Sequence, residues 1–261
     1  MSITRGAASA VTRGHPWVWR EQVVRADPTL APGDVVTVRE SDGPDLGQGL
    51  WDTPSPIAVR MYTHAASPLL DVELLLRAIE RAFERRQPWA DDPETTAYRL
   101  CHGEGDRVPG LVIDRYADVA ILRLDGGAMP EWIERLTPGL FARLESIGVH
   151  ALARRGEGRA DGGRLESVKG HSAPDVIEVR ENGMAMVVDL ARGQKTGAFL
   201  DQRDNRARVR RLARGRRTLN LFSYAGGFSI AAALGGAPHV TSVDIAHDAH
   251  ATAQRSMRAN G

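Results

Sequence analysis

"LNLFSYAGGFSIAAALGG", residues 219–236, decides how this chain is read. An apolar run closes at Phe222, a turn of small and polar residues ends in Gly226 and Gly227, and an alanine-rich segment follows. That is the order of a buried strand, a tight turn and a helix. Downstream, "HVTSVDIA" (239–246) reads as a second strand with an acid, Asp244, at its end, and "HDAHATAQRSMRANG" (247–261) as a second helix. Strand, helix, strand and helix at this spacing begin a doubly wound α/β sheet.

Such a sheet binds a nucleotide-like ligand at the carboxyl end of its first strand. The dinucleotide fingerprint G-x-G-x-x-G does not fit in any register around Gly226 and Gly227, and the phosphate loop G-x-x-x-x-G-K-[ST] is absent. The turn therefore lets a ligand approach the backbone but lacks the donors that pyrophosphate needs. Asp244 lies 17 residues beyond Gly227, near the offset at which an acid meets ribose hydroxyls. A ribose-binding acid beside a turn without phosphate chemistry suggests S-adenosylmethionine. The alternative is that Asp244 caps the helix starting near His247.

Upstream, residues 1–65 read as a small β domain. Val35, Val36 and Val38 belong to one strand, and Ile57, Val59 and Met61 alternate on one face of another; a small barrel would close such strands. "SPLLDVELLLRAIERAFERRQPW" reads as an amphipathic helix stopped by Pro88. A strand and a hairpin turning at Asp114–Asp118 follow, then a helical segment interrupted by Pro138 and Gly139, a strand "VHALARR", and a long loop over 156–175. These make a middle α+β module, about 70–178. A hairpin with an Asn182–Gly183 turn opens the last part, 179–261, and a helix runs from about Asp201 to a stop at Gly215.

The 261 residues are 42% hydrophobic and 26% charged, which suits two or three globular domains. A lone cysteine, Cys101, excludes a disulfide framework and a cysteine-rich zinc site; we read it as a strand thiol. The start lacks a signal-peptide core, and no stretch approaches the roughly 20 apolar residues of a membrane helix. A cytoplasmic protein with no membrane association is expected. The net charge of +1 advertises no nucleic acid. The 32 arginines against two lysines, Lys169 and Lys195, suit phosphate recognition or merely a GC-rich genome; they are spread along the chain and matched by acids.

"GQKTGAFLDQRDNR" (193–206) followed by "LNLFSYAGGFSIAAALGGAPHVTSVDIA" (219–246) resembles the RlmI-like family of class I S-adenosylmethionine-dependent methyltransferases of large-subunit rRNA. "RGHPWVW", "APGDVVTVRESDG" and "YRLCHGEGDRVPGLVIDRYAD" match its opening and middle domains in the same order, so the likeness spans nearly the whole chain. It implies a PUA domain that contacts RNA, a middle α+β domain and a Rossmann-like methyltransferase domain. It also implies that Lys195, Thr196 and Phe199 line the pocket entrance and that Asp201, Gln202 and Arg203 sit near the methionine moiety. Asn220, Phe222, Ser223, Tyr224, Gly226 and Gly227 would form the first-strand turn, Asp244 would hold the ribose, and Ile245 would pack on adenine.

Two family features are missing. A D-P-P-type motif on the fourth strand sits beside the target base, and a later cysteine is the nucleophile in the cytosine-5 members; neither occurs here. The expectation is a C-terminally truncated chain with no catalytic residue of its own, from an enzyme acting on an rRNA base, cytosine C5 by family. The alternative is a non-catalytic RNA-binding remnant. Leu219, Leu221, Val240 and Val243 should then face missing neighbours, leaving an open edge that aggregates or recruits a partner, a homodimer being one outcome.

Smaller signals remain open. "RDNRARVRRLARGRR" (203–217) holds eight arginines and one aspartate; it would touch RNA phosphates or be a solvated helix face with Val209 and Leu212 inward. Trp17 and Trp19 would stack on bases or close a β core. His15, His64, His102, His150 and His171 have no ligand-like spacing, and His247 and His250, three apart on a helix, lack a third ligand, so no metal site is expected.

Overall fold

A computed structural model describes residues 1–65, 67–155 and 164–261. The chain forms two compact units. One comprises Met1–Arg85, Leu100–Ile113 and Arg123–Ser146; the other comprises Arg86–Arg99, Asp114–Leu122 and Ile147–Gly261. Their boundaries do not follow the divisions at 65/70 and 178/179.

The first unit opens with β1 (Ser2–Ile3), α1 (Arg5–Thr12), β2 (Trp17–Trp19), β3 (Val23–Arg25), β4 (Val35–Glu40), β5 (Asp45–Trp51) and β6 (Ile57–Met61). These strands form one sheet in the order β2-β6-β5-β4-β1-β3. The β1–β4 pair is parallel and the others are antiparallel. The outer strands β2 and β3 are not laddered to each other. Ile3, Ala7, Val11, Val18, Val38, Trp51 and Val59 share its core. Simple alternation fails on β6, where Ala58 and Arg60 are buried beside Val59 and Met61; Arg60 is held by Asp52 at 3.1 Å and Glu104 at 3.0 Å. Trp17 is half-buried and donates its indole N–H to Glu104 at 2.9 Å, while Trp19 is exposed and packs edge-on against it.

α2 (Val72–Glu84) begins where Asp71 accepts the Leu74 N–H at 2.7 Å, an N-cap bond. It ends before Pro88, which sits instead in the first turn of α3 (Gln87–Ala90), where its missing N–H costs nothing. β7 (Ala97–His102), β8 (Leu111–Tyr116), β9 (Val119–Leu124), α4 (Ala128–Glu145), β10 (Ala151–Arg155) and β11 (Leu165–Gly170) follow, with sheet order β11-β10-β9-β8-β7. The β8–β9 turn is only Ala117 and Asp118, shorter than expected. α4 runs unbroken through Pro138: the neighbouring Thr137 hydroxyl bonds the Ile133 carbonyl at 2.7 Å, and Gly139 leaves room for Leu76 of α2. The loop expected over 156–175 is corrected in part, since β11 pairs antiparallel with β10; residues 156–163 lie outside the described residues.

The second unit adds the hairpin β12 (Val176–Glu181) and β13 (Met184–Asp189), then α5 (Arg203–Leu212), β14 (Arg217–Leu221), α6 (Gly227–Leu234), β15 (His239–Val243) and α7 (His247–Ala259). Asn182 and Gly183 turn the hairpin with φ of 49° and 76°, the two positive values of a type I′ turn. α7 docks on β13 through polar contacts: Ser256 accepts the Val187 N–H at 2.9 Å, and Asn260 bonds both backbone groups of Ala185. Val179, Met184, Met186, Val188, Ile230 and Ala231 pack with Tyr116, Ile121 and Ala153 in the unit's core.

α5 does not turn both Val209 and Leu212 inward, as one of its two readings had it. Val209 is half-buried and Leu212 is exposed, while the buried side chain is Arg206. Its guanidinium grips both oxygens of buried Glu181 at 2.6 and 2.5 Å, a fork geometry that only arginine supplies. On β14 and β15, Leu219, Leu221 and Val243 are exposed as expected, but Val240 is half-buried on the opposite face.

Candidate cofactor-binding site

β14 and β15 pair in parallel, with Leu221 opposite Val243. Their carboxyl ends therefore coincide, and the turns that follow stand side by side. A cavity of about 550 Å³ opens there, walled by Phe222, Ser223, Tyr224, Ala225, Gly227, Phe228, Asp244 and Ile245 and, opposite them, by Met186–Val188, Gln194, Gly197–Phe199, Gln202 and Arg206.

The turn is held in an unusual conformation. Phe222 and Tyr224 both have left-handed backbones, φ 57° and 46°, a state that costs a non-glycine residue on the order of 1 kcal/mol or more. The hydrogen bonds that impose it are visible. The Asp244 carboxylate accepts the Tyr224 N–H at 2.7 Å through one oxygen and the Ala246 N–H at 2.8 Å through the other. The Ala246 bond, and then the Tyr224 bond, hold the carboxyl below its ordinary pKa. Asp244 is thus not the side-chain cap of α7, whose N-cap is Ala246 and has none. Each carboxylate oxygen keeps a further lone pair for a ligand hydroxyl.

Gly226, at φ 76°, starts α6 without a side-chain cap. A Cβ there would lie 2.9 Å from that of Ala253, so no other residue fits. The first-turn N–H groups of α6 are left for a ligand carboxylate. The Ser223 hydroxyl is buried in the cavity wall with no partner among the described residues. Phe222 and Ile245, 90% and 102% exposed, offer apolar surface at the rim.

The facing wall is the segment 190–199, tied down from several sides. The Tyr224 hydroxyl accepts the Gln194 N–H at 2.7 Å and donates to the Gly197 carbonyl at 3.0 Å, and its ring meets Phe199 edge-on at 5.4 Å. Burial pushes the Tyr224 hydroxyl pKa up, so it stays a neutral donor. Arg155 of β10 donates to the carbonyls of Leu190, Gly193 and Lys195. Thr196 is buried outside the cavity, where it donates to Asp114 at 2.5 Å and meets the Tyr116 hydroxyl at 2.9 Å. Burial drives the Tyr116 hydroxyl pKa upward, and the nearby Asp114 charge adds to this.

The other expected residues are placed as follows. Lys195, also left-handed at φ 55°, sits 4.5 Å over the Phe199 ring and 3.2 Å from Asp201. Burial pulls the Asp201 pKa up, but the Lys195 hydrogen bond and charge outweigh it and leave the carboxyl below its ordinary value. Gln202 lines the cavity, whereas Asp201 and Arg203 do not; Arg203 instead stacks 3.9 Å over Trp89. Asn220 faces α6 and donates to Ser229 at 2.9 Å. Sequence reasoning missed Gln194, Gly197, Ala198, Arg206 and Phe228 as wall residues; the continuous apolar run of β13 was a signal for Met186, Val187 and Val188. Among the described residues no cluster of His, Cys, Asp or Glu could hold a metal, and His250 instead meets the Asp244 carbonyl at 3.0 Å.

The site has one ionised acceptor, one orphan hydroxyl and a bare helix start. Among the described wall residues the one cation, Arg206, is neutralised by Glu181. That set suits a ligand with ribose hydroxyls and no pyrophosphate, and with the parallel β-α-β order it defines the nucleoside-binding start of a Rossmann-like domain. Residues 134–261 match the family described as S-adenosylmethionine-dependent methyltransferase, and residues 1–64 match a PUA-like domain. The chain belongs to this family of S-adenosylmethionine-dependent methyltransferases with a PUA-like N-terminal domain. It is 33% identical over 263 residues to Ribosomal RNA large subunit methyltransferase I of Aeromonas salmonicida, covering 99% of this chain and 66% of that protein. To the Ribosomal RNA large subunit methyltransferase of Deinococcus radiodurans it is 35% identical over 268 residues, covering 100% and 66%. The chain therefore spans just under two thirds of these relatives. Among solved structures, a methyltransferase complexed with SAH superposes with a TM-score of 0.87 at 26% identity, covering 100% of this chain and 66% of that one. A SAM-dependent methyltransferase from Streptococcus mutans gives 0.86 at 25%, covering 100% and 67%.

Proposed function

We propose that the cavity holds S-adenosylmethionine and that the protein serves methyl transfer to a base of large-subunit ribosomal RNA, with cytosine C5 as acceptor. The observation that carries this is Asp244: an ionised carboxylate, fixed by two backbone N–H groups at the carboxyl end of β15, beside a glycine turn that lacks the G-K-[ST] ending of a phosphate loop. Bound there, the cofactor supplies a methyl group already activated by its sulfonium. Asp244 accepts the two ribose hydroxyls. Ile245 and Phe222 cover the adenine, and Ser223 with the α6 first-turn N–H groups takes the methionine carboxylate. Phe199 and Gln202 line the opposite side, while Lys195, Thr196 and Asp201 act on it indirectly, Lys195 through the Phe199 ring, Asp201 through Lys195 and Thr196 through Asp114.

We further assign 1–65 to RNA contact, 70–178 to a middle module and 179–261 to the cofactor, in the cytoplasm. We place the acceptor side of the site outside the described residues, a reading supported by the absence of cysteine from the described cavity wall and by the burial of Cys101 in β7. Calorimetry with S-adenosylhomocysteine tests the cofactor assignment; binding of S-adenosylhomocysteine and none of NAD is expected, and the reverse overturns it. Incubation with methyl-labelled cofactor and unmodified ribosomal RNA tests the rest. The chain alone is expected to transfer no methyl, and transfer at an enzymatic rate would place the acceptor side within it.

A further inference from the structure

Residues 205–243 contain seven arginines and not one Asp or Glu, in a chain whose net charge is only +1. Several arginines elsewhere meet acids: Arg39 with Asp45, Arg99 with Asp114, Arg154 with Glu166, Arg180 with Glu94. Within this stretch Arg206 takes Glu181, and Arg210 donates to the Asn182 carbonyl at 3.2 Å. The other five, Arg208, Arg211, Arg214, Arg216 and Arg217, are exposed, and none pairs with a carboxylate among the described residues. Arg208 and Arg211 are three apart on α5, on the side away from buried Arg206, so they share a face. Arg214 and Arg216 follow in the turn after α5, and Arg217 opens β14.

Helix electrostatics explain only part of this. Cations in a last turn complement the carboxyl-end dipole, which accounts for Arg210 and Arg211 and not for three arginines beyond the helix. Five exposed guanidinium groups between positions 208 and 217 repel one another unless something anionic lies across them. Val209 and Leu212 are the only large apolar residues of α5, too few for insertion into a lipid surface. Guanidinium forks match phosphate oxygens.

We propose that the ridge Arg208–Arg211–Arg214–Arg216–Arg217 is a contact surface for the phosphate backbone of RNA, separate from the cofactor cavity. This rests on the rRNA methyltransferase reading and adds a surface that the reading does not require. The ridge tracks phosphates without reading bases, so it holds the substrate in place and leaves target choice to other groups.

The test compares the whole chain with the triple variant R208Q/R211Q/R214Q and with an equally charged control, R81Q/R255Q/R258Q, whose arginines are exposed and divided between α2 and α7. Binding to a fluorescein-labelled 20-nucleotide single-stranded RNA is titrated between 50 and 200 mM salt. Each phosphate contact contributes about 0.7 to the slope of log affinity against log salt for a single strand. The ridge variant should bind more weakly at low salt, with a slope shallower by about 2, and the control should match the parent. Equal loss in both variants, an unchanged ridge variant, or no RNA binding by the parent overturns the proposal, as does tighter binding of the ridge to phosphatidylglycerol vesicles than to RNA. Thermal melting and S-adenosylhomocysteine calorimetry run in parallel. Unaltered cofactor binding with unaltered RNA binding sinks the ridge alone, whereas absent cofactor binding in every chain sinks the methyltransferase reading.

Discussion

The Tyr224 backbone N–H points at the Asp244 carboxylate at 2.7 Å, while the hydroxyl of the same tyrosine bonds the segment across the cavity at Gln194 and Gly197. One residue thus joins the acid proposed to hold the ribose to the wall that closes over it. The left-handed backbone of Tyr224 is what lets both ends reach.

Replacing Asp244 by Ala removes the acceptor for two hydroxyls and frees the turn. S-adenosylhomocysteine affinity should fall by about tenfold or more, since hydrogen bonds to charged groups are among the stronger ones. Asp244→Asn keeps the shape but turns an amide donor toward a backbone N–H, so it should bind hardly better than Asp244→Ala. Calorimetry reads both. Undiminished affinity in D244A would remove the residue from the site.

The direction of the Asp244 shift fixes its pH dependence. Its folded pKa lies below the ordinary carboxylate value because of the Ala246 and Tyr224 N–H groups. The stabilisation is therefore complete above the unfolded pKa, about 3.9, and is lost as pH falls through the lower folded value. Wild-type affinity for S-adenosylhomocysteine should exceed that of Asp244→Asn by a constant factor from pH 5 to 8. A gap that closes with a midpoint near neutrality would assign the ionisation to another group.

The sequence disclosed the β14–α6–β15 unit and the site's chemistry because these are local. The glycine turn, the missing third glycine and the position of Asp244 all lie within 26 residues, 219–244. The Asn182–Gly183 hairpin was legible for the same reason. What stayed hidden depends on distant partners. Arg206 looked like one more cation on a basic helix until Glu181, 25 residues away, proved to neutralise it inside the unit. Thr196 read as an entrance residue, yet Asp114 and Tyr116, 82 and 80 positions upstream, draw it under the loop. β11 was lost in a Gly-rich surround because only its pairing with β10 makes it a strand.

Arg155 is the next test of that wall. Its guanidinium bonds three carbonyls, of Leu190, Gly193 and Lys195, and burial lowers its pKa. Arg155→Ala should loosen the segment and cut cofactor affinity several-fold, with a smaller effect on thermal stability. Arg155→Lys should not restore it, because a single ammonium lacks the planar fork. Full rescue by lysine would mean that charge, not geometry, holds the loop.

Arg206 and Glu181 form a buried pair, their side chains 7% and 1% exposed. Breaking it from one side strands the other charge, so Glu181→Gln should destabilise by about 3–5 kcal/mol in urea unfolding. The double variant R206M/E181L should recover much of that loss. If the double variant is no more stable than E181Q, the pair contributes by shape or through the Phe199 carbonyl that Arg206 also bonds at 3.0 Å.

The open face of β14 and β15 sets the behaviour of this chain in solution. Leu219, Leu221 and Val243 are 61%, 55% and 47% exposed, and Phe222 and Ile245 stand beyond them at the strand ends. The opposite face is occupied: Asn220, Ser229 and Ser242 are linked by hydrogen bonds of 2.9 and 2.6 Å beneath α6. A parallel strand pair covered on one side only is an uncommon arrangement, since parallel sheets are normally buried on both faces. Contiguous apolar surface of this kind drives association. Sedimentation velocity should therefore show concentration-dependent self-association of the 261-residue chain, and L219K/L221K should suppress it without altering S-adenosylhomocysteine binding. A sharp monomer boundary across a hundredfold range of concentration would show that the face is tolerated in water.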